Sequence, residues 1–194
     1  MKEEGKILDS EELLHLAMHS NNPELTIEYL KRVLEMDCDN SKAYYLLGAT
    51  HAQIGMYDRA IQEMSKALEI DPTLSTACFQ LGLLHLTSGR VEEAREVWSA
   101  LDKLGEANPL YLFKRGMLSL VIDEFDACID DLTNGIASNQ INVALNNDMQ
   151  KIIDKAKEAQ NTTSASDPSQ QSSQTDGGHH ILLSAYKSND ETEH

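Results

Sequence analysis

The chain is predicted to be all-α, on three observations. Residue choice leans to Leu, Ala, Glu and Lys, all good helix formers, while aromatics make up only 5%. A pattern of small and apolar residues recurs after 34 positions: Tyr44-x2-Leu47-Gly48-x2-His51, Gly55, Tyr57, Ala60-x3-Met64, Ala67 and Pro72 are followed by Cys78-x2-Leu81-Gly82-x2-His85, Gly89, Val91, Ala94-x3-Trp98 and Leu101. Between Asn142 and Gln160, Val143, Leu145, Met149, Ile152, Ile153 and Ala156 make an amphipathic stripe at helical spacing. With 194 residues and 41% hydrophobic residues, the chain is long enough to bury a real core.

The first unit, about 7–40, carries Leu13, Ala17, Thr26-x3-Leu30 and Val33 at the recurring places. It departs at Leu14, where the later units have glycine, and its turn reads Asn21-Asn22-Pro23, with Pro23 suited to the first turn of a helix. In the second unit, 41–74, Gly48 and Ala60 are small, as a close crossing of two helices would require, and Tyr44, Leu47, Tyr57 and Met64 are expected to fill the space around such a crossing. Gly55 and Gly89 mark turns that need positive φ, and Asp71-Pro72 ends a helix because proline cannot continue it. The third unit is 75–108. The fourth, 109–142, carries Gly116, Phe125, Cys128-x3-Leu132 and Gly135, and departs at Arg115, Asp123 and Gln140. Residues 143–160 read as a capping helix over the last unit.

These residues and their 34-residue period resemble the tetratricopeptide repeat, a helix-turn-helix unit. The resemblance covers about residues 7–142 and implies antiparallel helix pairs stacked into a right-handed superhelix, whose concave groove is lined mainly by the first helix of each pair. It assigns to that groove Tyr45, Ala49 and Ala52, then Phe79, Leu83 and Leu86, then Phe113, Met117 and Leu120. The groove is therefore expected to be apolar, with an aromatic ladder, and to accept a partner segment; packing of these residues on one another or on a second copy in a homodimer are the alternatives. Some relatives of this family grip a terminal carboxylate with basic and amide groups, but Glu11, Tyr45, Phe79, Leu46 and Gln80 occupy the corresponding places. Anchoring is expected to be hydrophobic.

Charge narrows the partner. Lys+Arg number 16 and Asp+Glu 32, giving a net charge of −16, and an acidic surface repels nucleic-acid phosphates and anionic membranes. Before residue 161 the balance is 15 basic to 27 acidic residues, which favours a protein partner with basic flanks. The reading is a non-enzymatic scaffold or adaptor. On size, charge and groove character the chain also resembles type III secretion chaperones of class II, which keep translocator proteins soluble, although those have three repeats and lack this tail.

Residues 161–180 are almost entirely Ser, Thr, Gln, Asp, Gly and Asn, so a disordered linker is expected. It leads to an apolar island, Ile181, Leu182, Leu183, Ser184, Ala185 and Tyr186, read either as a docking peptide or as an incidental end. One version of docking folds the island back into its own groove. The N-terminus shows no apolar leader and no segment approaches 18 uninterrupted apolar residues, so a cytoplasmic location is expected.

Chemistry-bearing residues are few. His15 and His19 lie four apart within reach of Glu11, but the residue after His15 is Leu16 rather than the glutamate of a zinc protease motif, and no metal site is assigned. The resemblance places His51 and His85 in the packing between paired helices. Cys38, Cys78 and Cys128 lack CxxC spacing and are expected as thiols outside any disulfide, with Cys78 and Cys128 buried and inert. No glycine-rich phosphate loop occurs, so no cofactor and no catalytic residue is assigned.

Overall fold

The computed structural model describes residues 8–164 and residue 181. Among them are nine α-helices and no strand: α1 (Ser10–His19), α2 (Pro23–Met36), α3 (Ser41–Gln53), α4 (Tyr57–Ile70), α5 (Ser75–Thr87), α6 (Val91–Trp98), α7 (Pro109–Val121), α8 (Phe125–Ser138) and α9 (Val143–Ser164), with a 3-10 segment at Ser99–Leu104. The chain divides within α5, after Leu84, into two compact units. In the first, α1 packs on α2, α2 on α3 and α3 on α4; in the second, α7 packs on α8 and α8 on α9.

Local chemistry explains where helices start. Asn40 accepts from the Ala43 amide (2.9 Å), Asn108 from Leu110 (2.9 Å) and Asn142 from Leu145 (3.0 Å). These asparagines recur at multiples of 34 and each closes the orphan amides of the helix it precedes. In the first unit, α1 has a capping box, with the Glu12 amide donating to Asp9 at 2.8 Å and the Asp9 amide donating to Glu12 at 3.1 Å. Asn22 caps α2 ahead of Pro23, accepting from the Glu24 amide at 2.9 Å.

The turns into α4, α6 and α8 share one backbone device. Met56, Arg90 and Glu124 donate to the carbonyls of His51, His85 and Ser119 at 2.8, 2.9 and 3.0 Å. The residue before each donor has positive φ: Gly55 and Gly89 at 76°, and Asp123 at 58°. Asp123 thus keeps the glycine geometry without being glycine, and its Oδ1 is buried with no hydrogen-bond partner.

Close crossings are set by small residues. A methyl on Gly48 would lie 2.8 Å from Met64 Cγ and 3.0 Å from the Ala60 carbonyl; one on Gly116 would lie 2.8 Å from Leu132 Cδ2 and 3.2 Å from the Cys128 carbonyl. The same three places in two repeats meet in the same way. Around them Leu13, Leu30, Val33 and Leu47 form the core of the first unit, with Leu14 packed against its edge where the glycine is missing. Tyr57, expected inside the crossing, is 48% exposed and points out from the first turn of α4.

Two boundaries differ from expectation. The helix begun at Val91 is α only to Trp98 and then tightens to 3-10. A continuing α-helix would direct the residue 102 amide to the Trp98 carbonyl; the buried Lys114 ammonium donates to that carbonyl at 3.2 Å and to Asp102 Oδ1 at 2.5 Å. At the other end, α9 continues past residue 160 to Ser164, its last turns held to α8 by Gln160 Nε2 donating to Asp126 at 2.6 Å. The rest of the expected linker and island lies outside the described residues, apart from Ile181.

Candidate functional site

In the first unit, α3 presents Tyr45, Ala49 and Ala52 on one side, each partly accessible. Tyr45 is held by a side-chain hydrogen bond to Gln80, and burial pushes its phenol pKa up. Ala49 lines a cleft of about 300 Å³ together with Ala17 and Met18 of α1, Pro23 and Thr26 of α2, Leu46 of α3, and the polar Ser20, Asn21, Thr50 and Gln53. A shallower hollow of about 640 Å³ adjoins it, sharing Asn21 and Pro23 and reaching Ile27 and Ile54. Met18 is 57% exposed and Ile54 42%, so the cleft has apolar rims open to water. Glu24 is the only charged residue lining either hollow.

The remaining expected groove residues are elsewhere. Phe79 and Leu83 in the first unit, and Leu86, Phe113, Met117 and Leu120 in the second, are buried. An aromatic ladder open to solvent is therefore not what the structure presents. For Phe113 the reason is visible: its ring lies against Gly135 of α8, where an added methyl would sit 2.6 Å from Phe113 Cδ1. Glycine at that place opens room for a ring between the two helices.

Ionisable side chains cluster at helix contacts. His51, 2% exposed, donates through Nδ1 to Glu63 Oε2 at 2.5 Å. His85 holds the same place in the next repeat, where Val97 stands in the position of Glu63, and its buried Nδ1 has no hydrogen-bond partner. Burial, then the Arg90 cation, pushes its imidazole pKa down. In the second unit Arg115 pairs with Asp131 through two hydrogen bonds, and the Lys114 ammonium and Arg115 guanidinium lie 5.2 and 5.7 Å from the Tyr111 ring centre. The pairs His51–Glu63, Lys114–Asp102 and Arg115–Asp131 join neighbouring elements, and none of these groups opens into either hollow.

His15 and His19 stack with ring centres 4.1 Å apart, and His19 Nδ1 donates to the His15 carbonyl at 2.8 Å, which occupies one ring nitrogen. Among the described residues no group of three or more His, Cys, Asp or Glu is placed to hold a metal ion. Cys128 is fully buried and its thiol is pushed up to about 12 by burial and, secondarily, by Asp131; Cys78 is buried and Cys38 exposed. No described helix is long and apolar enough to cross a membrane. Lys114, Asp131 and the capping asparagines were not singled out from the sequence. The asparagines were detectable there, since Asn40, Asn108 and Asn142 share the 34-residue register.

Residues 41–74 match the tetratricopeptide repeat family. No curated protein matches the chain. Among solved structures, MamA is similar, with 22% identity over 66% of this chain and 77% of that one and a TM-score of 0.56. MamA from Desulfovibrio magneticus RS-1, residues 41 to the end, is 13% identical over 95% of this chain and 96% of that one, with a TM-score of 0.58. A mutant of the Thermobaculum terrenum O-GlcNAc transferase is 24% identical over 66% of this chain but only 26% of that one, with a TM-score of 0.54. At these identities the likeness is one of fold, and it agrees with the helix pairs, the glycine crossings and the matched repeat: the described residues have an all-α fold of the tetratricopeptide-repeat kind, with residues 41–74 matching the repeat itself.

Proposed function

We propose that the chain is a non-enzymatic protein-interaction scaffold that holds an apolar segment of a partner protein in the cleft beside α3. The observation that carries this reading is the cleft itself: Ala17, Met18, Pro23, Leu46 and Ala49 supply apolar walls, Ser20, Asn21, Thr26, Thr50 and Gln53 supply uncharged polar groups, and the only charge, Glu24, lines the adjoining hollow. A concavity that combines apolar walls with uncharged hydrogen-bonding groups suits a peptide, whose side chains take the walls and whose backbone takes the polar groups. Between residues 8 and 84 there are five basic and twelve acidic residues, so the surroundings favour a segment with basic flanks and speed its approach.

The test is capture from native lysate by the full chain and by Ala49→Arg, with circular dichroism confirming equal helix content. A protein retained by the wild type and lost by the variant supports the reading and identifies the partner. Equal capture by both moves the site off this cleft. Capture only of the chain itself favours the homodimer, and capture of an export substrate favours a secretion chaperone.

A further inference from the structure

We propose that the second unit carries its own occupant: the apolar island Ile181–Tyr186 docks on α7, covering the side where Met117 and Leu120 lie. Three observations converge. First, Ala49 and Ala52 of α3 are partly accessible and Ala49 borders an open cleft, whereas Met117 and Leu120, at the same repeat places on α7, are 0% exposed although far larger. Large side chains at places that are open elsewhere in the fold need a cover.

Second, Ile181, the first residue of the island, is helical and only 8% exposed. It follows sixteen residues that include no aromatic, Leu, Ile, Val or Met, so burying it is not a by-product of an apolar neighbourhood in the preceding chain. Third, the reach suffices. From Ser164, the end of α9, sixteen residues span at most roughly 55 Å, more than the length of α7, about 20 Å for thirteen residues. A tether of this length sets an effective concentration on the order of millimolar, so modest docking stays occupied.

The island Ile-Leu-Leu-Ser-Ala-Tyr is uncharged and suits the apolar side chains of Met117 and Leu120. A partner for the second unit would have to displace this segment, which makes the tail an internal competitor. The first unit's cleft is unaffected, so failure of this proposal and failure of the scaffold reading are separable.

The experiment uses the full chain with a photo-crosslinking benzoylphenylalanine at position 181, together with hydrogen exchange on an Ile181→Asp, Leu182→Asp variant and on Ile181→Leu. Crosslinks within one molecule to residues 109–121, with exchange there at least threefold faster in the aspartate variant and unchanged in Ile181→Leu, support the proposal. Crosslinks to another part of the chain or between two molecules overturn it, as does exchange over residues 109–121 that is equal in all three proteins.

Discussion

Arg115 and Asp131 meet across α7 and α8 in a two-point contact, with Arg115 Nε donating to Asp131 Oδ2 at 2.6 Å and Nη2 donating to Oδ1. Arg115 stands where the second and third repeats have Leu47 and Leu81, and Asp131 where they have Glu63 and Val97. The two departures compensate one another: the buried carboxylate of Asp131 is matched by a guanidinium reaching it from Arg115, whose side chain is about half exposed.

Breaking one half of this pair should therefore cost more than removing both. Arg115→Leu leaves the Asp131 carboxylate buried without its partner and is expected to lower stability by about 2 kcal/mol, whereas Arg115→Leu with Asp131→Val should lie within about 1 kcal/mol of the wild type. Urea unfolding followed by circular dichroism checks this. A double variant as unstable as the single would show that the pair does not act as a unit.

Asp123 gives a prediction of opposite sign. It adopts φ 58° at a turn where two other repeats place glycine, and it buries an unpartnered Oδ1. Asp123→Gly relieves both and should raise stability by about 1 kcal/mol, while Gly55→Ala at φ 76° should lower it by a similar amount. The urea midpoints should move in opposite directions at constant m-value.

His85 predicts a pH dependence. Burial and Arg90 hold the folded His85 imidazole below its usual 6.5, so the unfolded chain binds the proton more readily. The contribution is fully present above the unfolded value and is lost as pH falls through about 6.5 toward the lower folded value. His85→Gln should flatten the fall in unfolding free energy between pH 7.5 and 5.5. An unchanged slope would assign the dependence to other groups.

Thiol reactivity separates the three cysteines. Cys38 is exposed, whereas Cys78 and Cys128 are buried, with the Cys128 thiol pushed up to about 12. One thiol should react with a disulfide reagent within minutes at pH 8 and the other two only in denaturant. Two fast thiols in the native protein would contradict the burial.

The repeat fold was legible because its signals are local. Gly48, Ala60 and Met64, repeated as Gly116, Cys128 and Leu132, encode a crossing in residue size alone, and Asp71-Pro72 encodes a stop. The side of the helix on which each apolar residue would be used was less legible. Tyr45 and Phe113 hold the same place in their repeats, yet Tyr45 stays partly accessible opposite a repeat with Ala67, and Phe113 is buried against Gly135. That outcome depends on the volume available on the facing helix. Lys114 was missed for a related reason: its partners, the Trp98 carbonyl and Asp102, lie in the previous repeat and at a break in helix geometry that the 34-residue pattern does not announce.

The measurement that bears most directly on the scaffold reading is hydrogen exchange on the full chain with and without the protein that it captures. The account predicts slowed exchange in residues 10–27 and 41–53, which carry the cleft, and loss of that protection in Ala49→Arg. Protection confined to other helices, or unchanged by Ala49→Arg, would contradict it.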